Sequence, residues 1–364
     1  LGSGGDSYVN IGILAYPAAN ANTALTVTVS GNTIETEGLA DEVFAISAAD
    51  DDSDPDDDST ADSKAAISLN VHNNTIALGS LTQGLTAINA GVNLFTNFNG
   101  PDGDELFYLE NLDVQNNTIA IDTAGNEGAI GINAGLIRQP ALIANNVISI
   151  TGSVSVSVPL LTYLSDIDVV YNTIYTDTVT SQALGWTAFA TDSETESVNY
   201  RDKRIGEVAN NIFHLRSTSN NSNDPTDCAT MMFEEINNTV NASYVTAASP
   251  ETFRNNDVFL DSDCQAQYVY GDATDVGTNT PIDTVTQLNA KTGFSASDPT
   301  ISANNISADP DFTNLTAGDF TLLNTSPCLD AGLAFDTETW TDLLGTARPL
   351  GDAVDMGAYE FLEL

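Results

Sequence analysis

Apolar and polar residues alternate with period two in several short stretches. Leu25-Thr26-Val27-Thr28-Val29, Ile67-Ser68-Leu69-Asn70-Val71 and Val154-Ser155-Val156-Ser157-Val158 are the clearest. That alternation predicts strands with one buried face. No comparable segment shows sustained helical periodicity, so the expected class is all-β. A motif recurs behind the strands: Asn, then Thr or Val, then Ile, Val or Phe. It appears at Gly31-Asn32-Thr33-Ile34, Asn73-Asn74-Thr75-Ile76, Asn116-Asn117-Thr118-Ile119 and Asn145-Asn146-Val147-Ile148. It returns at Tyr171-Asn172-Thr173-Ile174, Asn210-Asn211-Ile212-Phe213 and Asn237-Asn238-Thr239-Val240, and more loosely at Asn255-Asn256-Asp257-Val258 and Asn304-Asn305-Ile306-Ser307. From Asn32 the intervals are 42, 43, 29, 26, 39, 27, 18 and 49 residues. The values 26, 27 and 29 read as one unit, and those near 40 as one unit plus an inserted loop.

A strand, an Asn bend and a second strand, repeated in this way, is the requirement of a parallel β-helix, a solenoid. Asn enters the left-handed backbone region at low cost and so turns the chain sharply between sheets. In a stack of coils the bend residues Asn32, Asn74, Asn117, Asn146, Asn172, Asn211 and Asn238 would lie above one another and form a hydrogen-bonded ladder. The Ile, Val or Phe that follows would point inward. A β-sandwich would need Asn-Gly or Asp-Gly hairpins at short spacing. Those dipeptides occur once each, at Asn99-Gly100 and Asp102-Gly103, within one loop. The expected organisation is therefore coils with inserted loops over residues 1–300 and a C-terminal closing or capping segment over 301–364. Nine repeats would make a rod on the order of 45 Å long.

Charge narrows the partners. The 364 residues carry 51 Asp and Glu against 9 Lys and Arg, a net charge of −42. Nucleic-acid binding needs clustered bases, and anionic lipid repels such a surface. No run of about 18 apolar residues predicts a membrane span. Hydrophobic residues make up 41%, too many for a wholly disordered acidic chain. Strong acidity with scarce Lys suits an extracellular or cell-surface protein in salty water, where salt screens self-repulsion and divalent cations are recruited. The N-terminus has no basic region followed by an apolar core, so a secreted chain would already be processed.

The sharpest local signal is the acidic run Asp50, Asp51, Asp52, Asp54, Asp56, Asp57 and Asp58, in an insertion between two strand-like stretches. A charge run is ordinarily a solvated loop. Ordered, it would require Ca²⁺, which takes six to eight oxygen ligands. Asp102 and Asp104, in a glycine-bearing loop, form a second Ca²⁺ candidate without full EF-hand spacing. The three cysteines fit no zinc spacing; Cys228 and Cys264 are the candidate disulfide, with Cys328 left over, or all three are small buried residues. His72, beside a bend Asn, and His214, in a strand, read as structural.

Five blocks near the C-terminus occur in a fixed order: Asp309-Pro310-Asp311-Phe312, Gly318-Asp319-Phe320, Ser326-Pro327-Cys328-Leu329-Asp330-Ala331-Gly332, Arg348-Pro349-Leu350-Gly351 and Val354-Asp355-Met356-Gly357-Ala358-Tyr359-Glu360-Phe361. This tail resembles the C-terminal end of bacterial surface proteins with right-handed parallel β-helices, the choice-of-anchor Q group, and the Asn-Thr-Ile repeats resemble the pectate-lyase-type coil. The resemblance implies an extracellular β-helix but no single reaction, because such folds carry lyases, hydrolases, adhesins and inert stalks. Polysaccharide lyases of this kind use a Lys or Arg base. The one basic cluster, Arg201, Lys203 and Arg204, supplies the weak catalytic candidates, and these bases could equally pair with Asp202, Glu194, Glu196 or Glu207. The Arg-x-Pro-x-x-Arg pattern of pectate lyases is absent from the sequence. Two function classes follow. One is a non-catalytic structural or adhesive rod, Ca²⁺-stabilised, that self-associates into a fibre or meets a surface glycan or protein. The other is a Ca²⁺-dependent polysaccharide lyase. Ice binding ranks last, because Thr occurs once per repeat rather than in paired columns.

Overall fold

A computed structural model describes residues 9–14, 25–36, 42–48, 67–80, 84–90, 109–135, 137, 139–163, 165–180, 182–191, 205–219, 228–236, 250–261, 266–272, 280–282, 284–290, 301–335 and 340–362. Among them the chain is nearly all β, and its strands pair in parallel except Thr280–Ile282 against Ala266–Asp272 and the hairpin of Phe312–Asn314 with Asp319–Leu322. One sheet holds eight strands in chain order: Leu25–Ser30, Ile67–His72, Leu109–Gln115, Ala141–Ala144, Ile167–Val170, Glu207–Ala209, Thr252–Arg254 and Ile301–Ala303. The second, larger sheet has two limbs. One limb runs from Thr33–Thr36 and Thr75–Ser80 to Thr173–Thr180, Ile212–Ser219 and Asp257–Leu260. The other runs from Val9–Leu14, Glu42–Ser47 and Gly84–Ala90 to Gln182–Thr191, Cys228–Ile236 and Ala266–Asp272. The long strands Thr118–Gly135 and Val147–Tyr163 belong to both limbs. They turn the corner at Gly125 and Gly152, with φ of 100° and 98°. At Gly152 a Cβ would sit 2.1 Å from the Thr123 carbonyl oxygen, so only glycine fits.

The bend explains why the repeated motif folds as it does. The left-handed residue is the one before each motif Asn: Gly31, Asn73, Asn116, Asn145, Tyr171, Asn210, Asn255 and Asn304, with φ between 52° and 69°. The motif Asn itself lies between the bend and the next strand and points inward. Asn74, Asn117, Asn146, Asn172, Asn211 and Asn256 are fully buried, and each donates from its Nδ2 to the Oδ1 of the next, at 2.9–3.1 Å. Buried amides demand such partners, and here each coil supplies them to its neighbour. The apolar residue two positions later enters the core, as Ile76, Ile119, Ile148, Ile174, Phe213 and Val258. It packs with the inward column of the first sheet, Val29, Val71, Val114, Ile143, Val169, Val208 and Phe253.

Three expectations are corrected. The rung after Asn211 is Asn256, 45 residues on. The 27- and 18-residue intervals are thus one coil; Asn238 lies outside the described residues. Residues 301–364 do not all close the end of the stack. Ile301–Ala303 is still a parallel strand, while the chain from Ile306 to Phe361 turns back along the flank as a strap. The end of the ladder is held instead by a helix that period analysis missed, α1 (Val285–Asn289), which buries Leu288. Its Asn289 Oδ1 accepts from Asn305 at 2.8 Å. The capping box Thr284-x-x-Gln287 was the available signal.

Candidate functional site

Outward positions on one limb line up in register across coils. One column reads Glu35, Ala77, Ala120, Ser149, Tyr175, His214 and Phe259. The column two residues on reads Gly79, Asp122, Thr151, Asp177 and Arg216. The small residues Ala77, Gly79 and Ala120 leave a hollow of about 300 Å³, edged by Glu35, Thr36, Asp122, Ser149 and Thr151. Thr151 Oγ1 donates to Asp122 Oδ1 at 3.4 Å, and Thr123 Oγ1 to the Thr151 carbonyl at 2.7 Å. Carboxylates and hydroxyls along an open, flat-floored groove can receive the hydroxyl groups of a neutral extended ligand, and they oppose a polyanion.

Farther along the same column the side chains become aromatic and the strap covers them. Tyr175 meets Phe320 at 5.4 Å between ring centroids, and His214 meets Phe312 at 6.0 Å and Phe259 at 5.0 Å. Burial drives the His214 pKa down to about 4, so the ring is neutral at ordinary pH.

The strap is fixed by buried charge. Arg348 and Glu360 pair at 2.7 Å with side chains 1% and 0% exposed. Arg348 also donates to the Gly357 carbonyl at 2.8 Å and to Asn145 Oδ1 at 3.3 Å, and lies 4.4 Å from the centre of the Tyr171 ring. Desolvation lowers its pKa, opposed by the Glu360 charge. Glu360 further accepts from the backbone of Asp355 and Leu350, each at 3.0 Å. Asp355, its pKa raised to about 6 by burial, accepts from Asp330 and Phe361, both at 2.7 Å. Asp257 lies buried where strap meets stack, accepting from the Ala308 backbone at 3.1 Å and from the Cys328 thiol at 3.3 Å. Burial pushes Asp257 up to about 7 and the thiol well above its ordinary value. Cys328 is a free thiol.

Arg201, Lys203 and Arg204 lie outside the described residues, as do Asp50, Asp51, Asp52, Asp54, Asp56, Asp57, Asp58, Asp102, Asp104 and Cys264, and the side chain of Cys228. Among the described residues no group of three or more His, Cys, Asp or Glu is placed to hold a metal ion, and no helix is long and apolar enough to cross a membrane. Glu207, one of the carboxylates expected near the basic cluster, instead holds Arg254 through two bonds of 2.8 Å. His72 Nε2 sits 3.0 Å from Asp113 Oδ2 on the neighbouring coil. Sequence reading missed the groove and the strap's buried pair. The signal for the groove was the small outward residues Ala77, Gly79 and Ala120; for the pair, Arg348 and Glu360 within the two last ordered blocks. Comparison with protein-family models, with curated proteins and with solved structures finds no match to this chain.

Proposed function

We propose that the chain is a right-handed parallel β-helix resembling the choice-of-anchor Q surface proteins. In this reading it acts outside the cell as a non-catalytic structural or adhesive rod that meets a surface glycan or protein. Right-handed crossovers are the rule for parallel strands joined in one sheet. The observation that carries the reading is the registered groove of Ala77, Gly79, Ala120, Ser149 and Thr151, with Glu35 and Asp122 at its edge. The columns set the polar groups of Glu35, Asp122, Ser149 and Thr151 on different coils along one face, which suits several weak contacts along an extended ligand. The strongly displaced carboxyls, Asp257 and Asp355, belong to the strap junction rather than the groove. Ca²⁺ held by the Asp50–Asp58 run and by Asp102 and Asp104 would stabilise the loops, and the net charge of −42 favours that cation.

The test is a panel of immobilised neutral and acidic polysaccharides, with and without Ca²⁺, using the native chain and Ala120→Trp. Retention on neutral glycans, lost when Trp fills the groove, is the expected result. Unsaturated, ultraviolet-absorbing products from an acidic glycan, lost on Lys203→Ala, would replace this reading with a lyase.

A further inference from the structure

The groove is longer than it is wide. It spans the successive coils of Glu35, Ala77, Ala120 and Ser149 but only a short piece of each strand, such as Ala120 to Asp122. At about 4.8 Å per coil and about 3.3 Å per residue, that is about 14 Å along the stack against about 7 Å across it. An extended ligand therefore lies along the stack, crossing one coil after another.

The later end of this track is shut. The floor residue after Ser149 is Tyr175, which is 3% exposed and meets Phe320 of the strap at 5.4 Å between ring centroids. Phe320 meets Phe312 edge-on, and Phe312 lies over His214, the next residue of the same column. Two rings of the strap thus fill the space into which the floor would continue. In the outer column the residue after Thr151 is Asp177, which is exposed. Its Oδ2 accepts from the Tyr175 hydroxyl at 3.3 Å, so ring and carboxylate form one wall. Arg216, one coil farther, is drawn by the charges of Asp177 and Asp261 and stands 3.7 Å from the latter.

We propose that the groove receives the end of a neutral glycan chain, and that Asp177 recognises the terminal sugar. This rests on the reading of the groove as a glycan site. The chemistry separates an end from an interior. A terminal sugar carries a free hydroxyl where an internal one carries a glycosidic ether oxygen. A carboxylate only accepts hydrogen bonds, at about four lone-pair sites, and the Tyr175 hydroxyl occupies one of those on Asp177. Asp177 can therefore accept from the free hydroxyl in a charge-assisted bond. An ether oxygen in that place brings no donor and sets oxygen against oxygen. An interior stretch would also have to pass through the space that Phe320 and Phe312 fill.

The test uses linear xylan, mannan and glucan, each as its hexasaccharide and as the soluble parent polymer, titrated into the native chain. An end binder gives the same dissociation constant per mole of chains at both lengths. Asp177→Asn keeps an acceptor for Tyr175 and should weaken the hexasaccharide about tenfold, the scale of one charged hydrogen bond. Its melting temperature should not move, because exposed charge pairs contribute little. A polymer that binds tighter per chain in proportion to its length overturns the proposal and leaves the glycan reading standing. So does an Asp177→Asn chain that binds like the native one. No binding of any of these glycans up to millimolar concentration overturns the glycan reading and this inference with it.

Discussion

Asn116 and Asn145 occupy successive bends with nearly the same backbone, φ 57° and 53°, yet Asn116 is half-buried and Asn145 almost wholly buried. The difference is the strap. Asn145, Asn210 and Asn255 donate from their Nδ2 atoms to the strap carbonyls of Thr341, Leu333 and Ala331, at 2.8–2.9 Å. Tyr171 does more. It holds a left-handed backbone that ordinary residues avoid, and its ring is fully buried against Phe335 and Trp340. The residue after each rung follows suit. Thr33 and Thr75 are exposed and Thr118 half-buried, whereas Val147, Thr173, Ile212 and Asp257 are buried. One local fold thus serves two environments. The bend dictates the backbone, and the strap decides which side chains that backbone can carry.

The largest break in this comparison is Arg348→Ala. It leaves Glu360 buried without its partner and should cost about 3–5 kcal/mol. Denaturant unfolding measures the loss, and amide exchange should deprotect the strap while the bare-flank coils hold. Loss of protection in every coil at once would mean that the two regions are one cooperative unit. Next come the rungs. Asn117→Ala and Asn146→Ala should each cost about 1–3 kcal/mol for every buried group left unpaired. The two losses should match, because the ladder is alike under bare and covered flanks. Unequal losses would show that the strap reaches the interior.

A pH effect is expected in the covered region. Asp257 titrates near 7 in the fold, above its ordinary 3.8, because burial disfavours its charged form, with the neighbouring Asp309 adding to the rise. The folded state therefore holds the extra proton. The stabilisation this gives is complete below about pH 4 and disappears as pH climbs through 7. The melting temperature of the native chain should fall over that window more steeply than that of Asp257→Asn; parallel slopes would remove Asp257 from the account. Smaller still is a swap. Tyr171→Asn gives up about 2–3 kcal/mol of aromatic burial and recovers about 1 of backbone strain. Asn116→Tyr should cost about 1–2 kcal/mol with nothing to receive the ring. Smallest is Thr75→Val on the bare flank, within about 0.5 kcal/mol.

The coil pattern was legible because its causes are local. A bend that needs Asn and a core that needs Ile or Val leave marks within four residues, as at Asn73-Asn74-Thr75-Ile76. The intervals of 27 and 18 residues misled because the motif tests composition, whereas a rung also needs its neighbours in register, as Asn211 and Asn256 are 45 residues apart. The strap's path was not legible. Its contacts join Asn145 to Thr341 and Arg348, pairs about 200 residues apart that no local pattern encodes. Its trace was nevertheless present, in the change from Thr at 33, 75 and 118 to Val147 and Ile212, and in Tyr171 standing where Gly or Asn is the rule. The groove left a fainter mark, since small residues on an outward face look like ordinary surface until the coils are aligned.

The separation of 203 residues between Asn145 and Arg348 also sets an order in time. Coils with neighbours 26 to 45 residues away can form as the chain emerges. The flank from Asn145 to Asn255 must wait for the strap, which follows its contacts by 76 to 203 residues. Until then Tyr171 and Ile212 face water, and the chain carries an apolar stripe open to other chains. Closing contacts of such sequence separation is slow. Maturation of this protein should thus proceed in two phases, rapid growth of the stack and a later unimolecular sealing of its side.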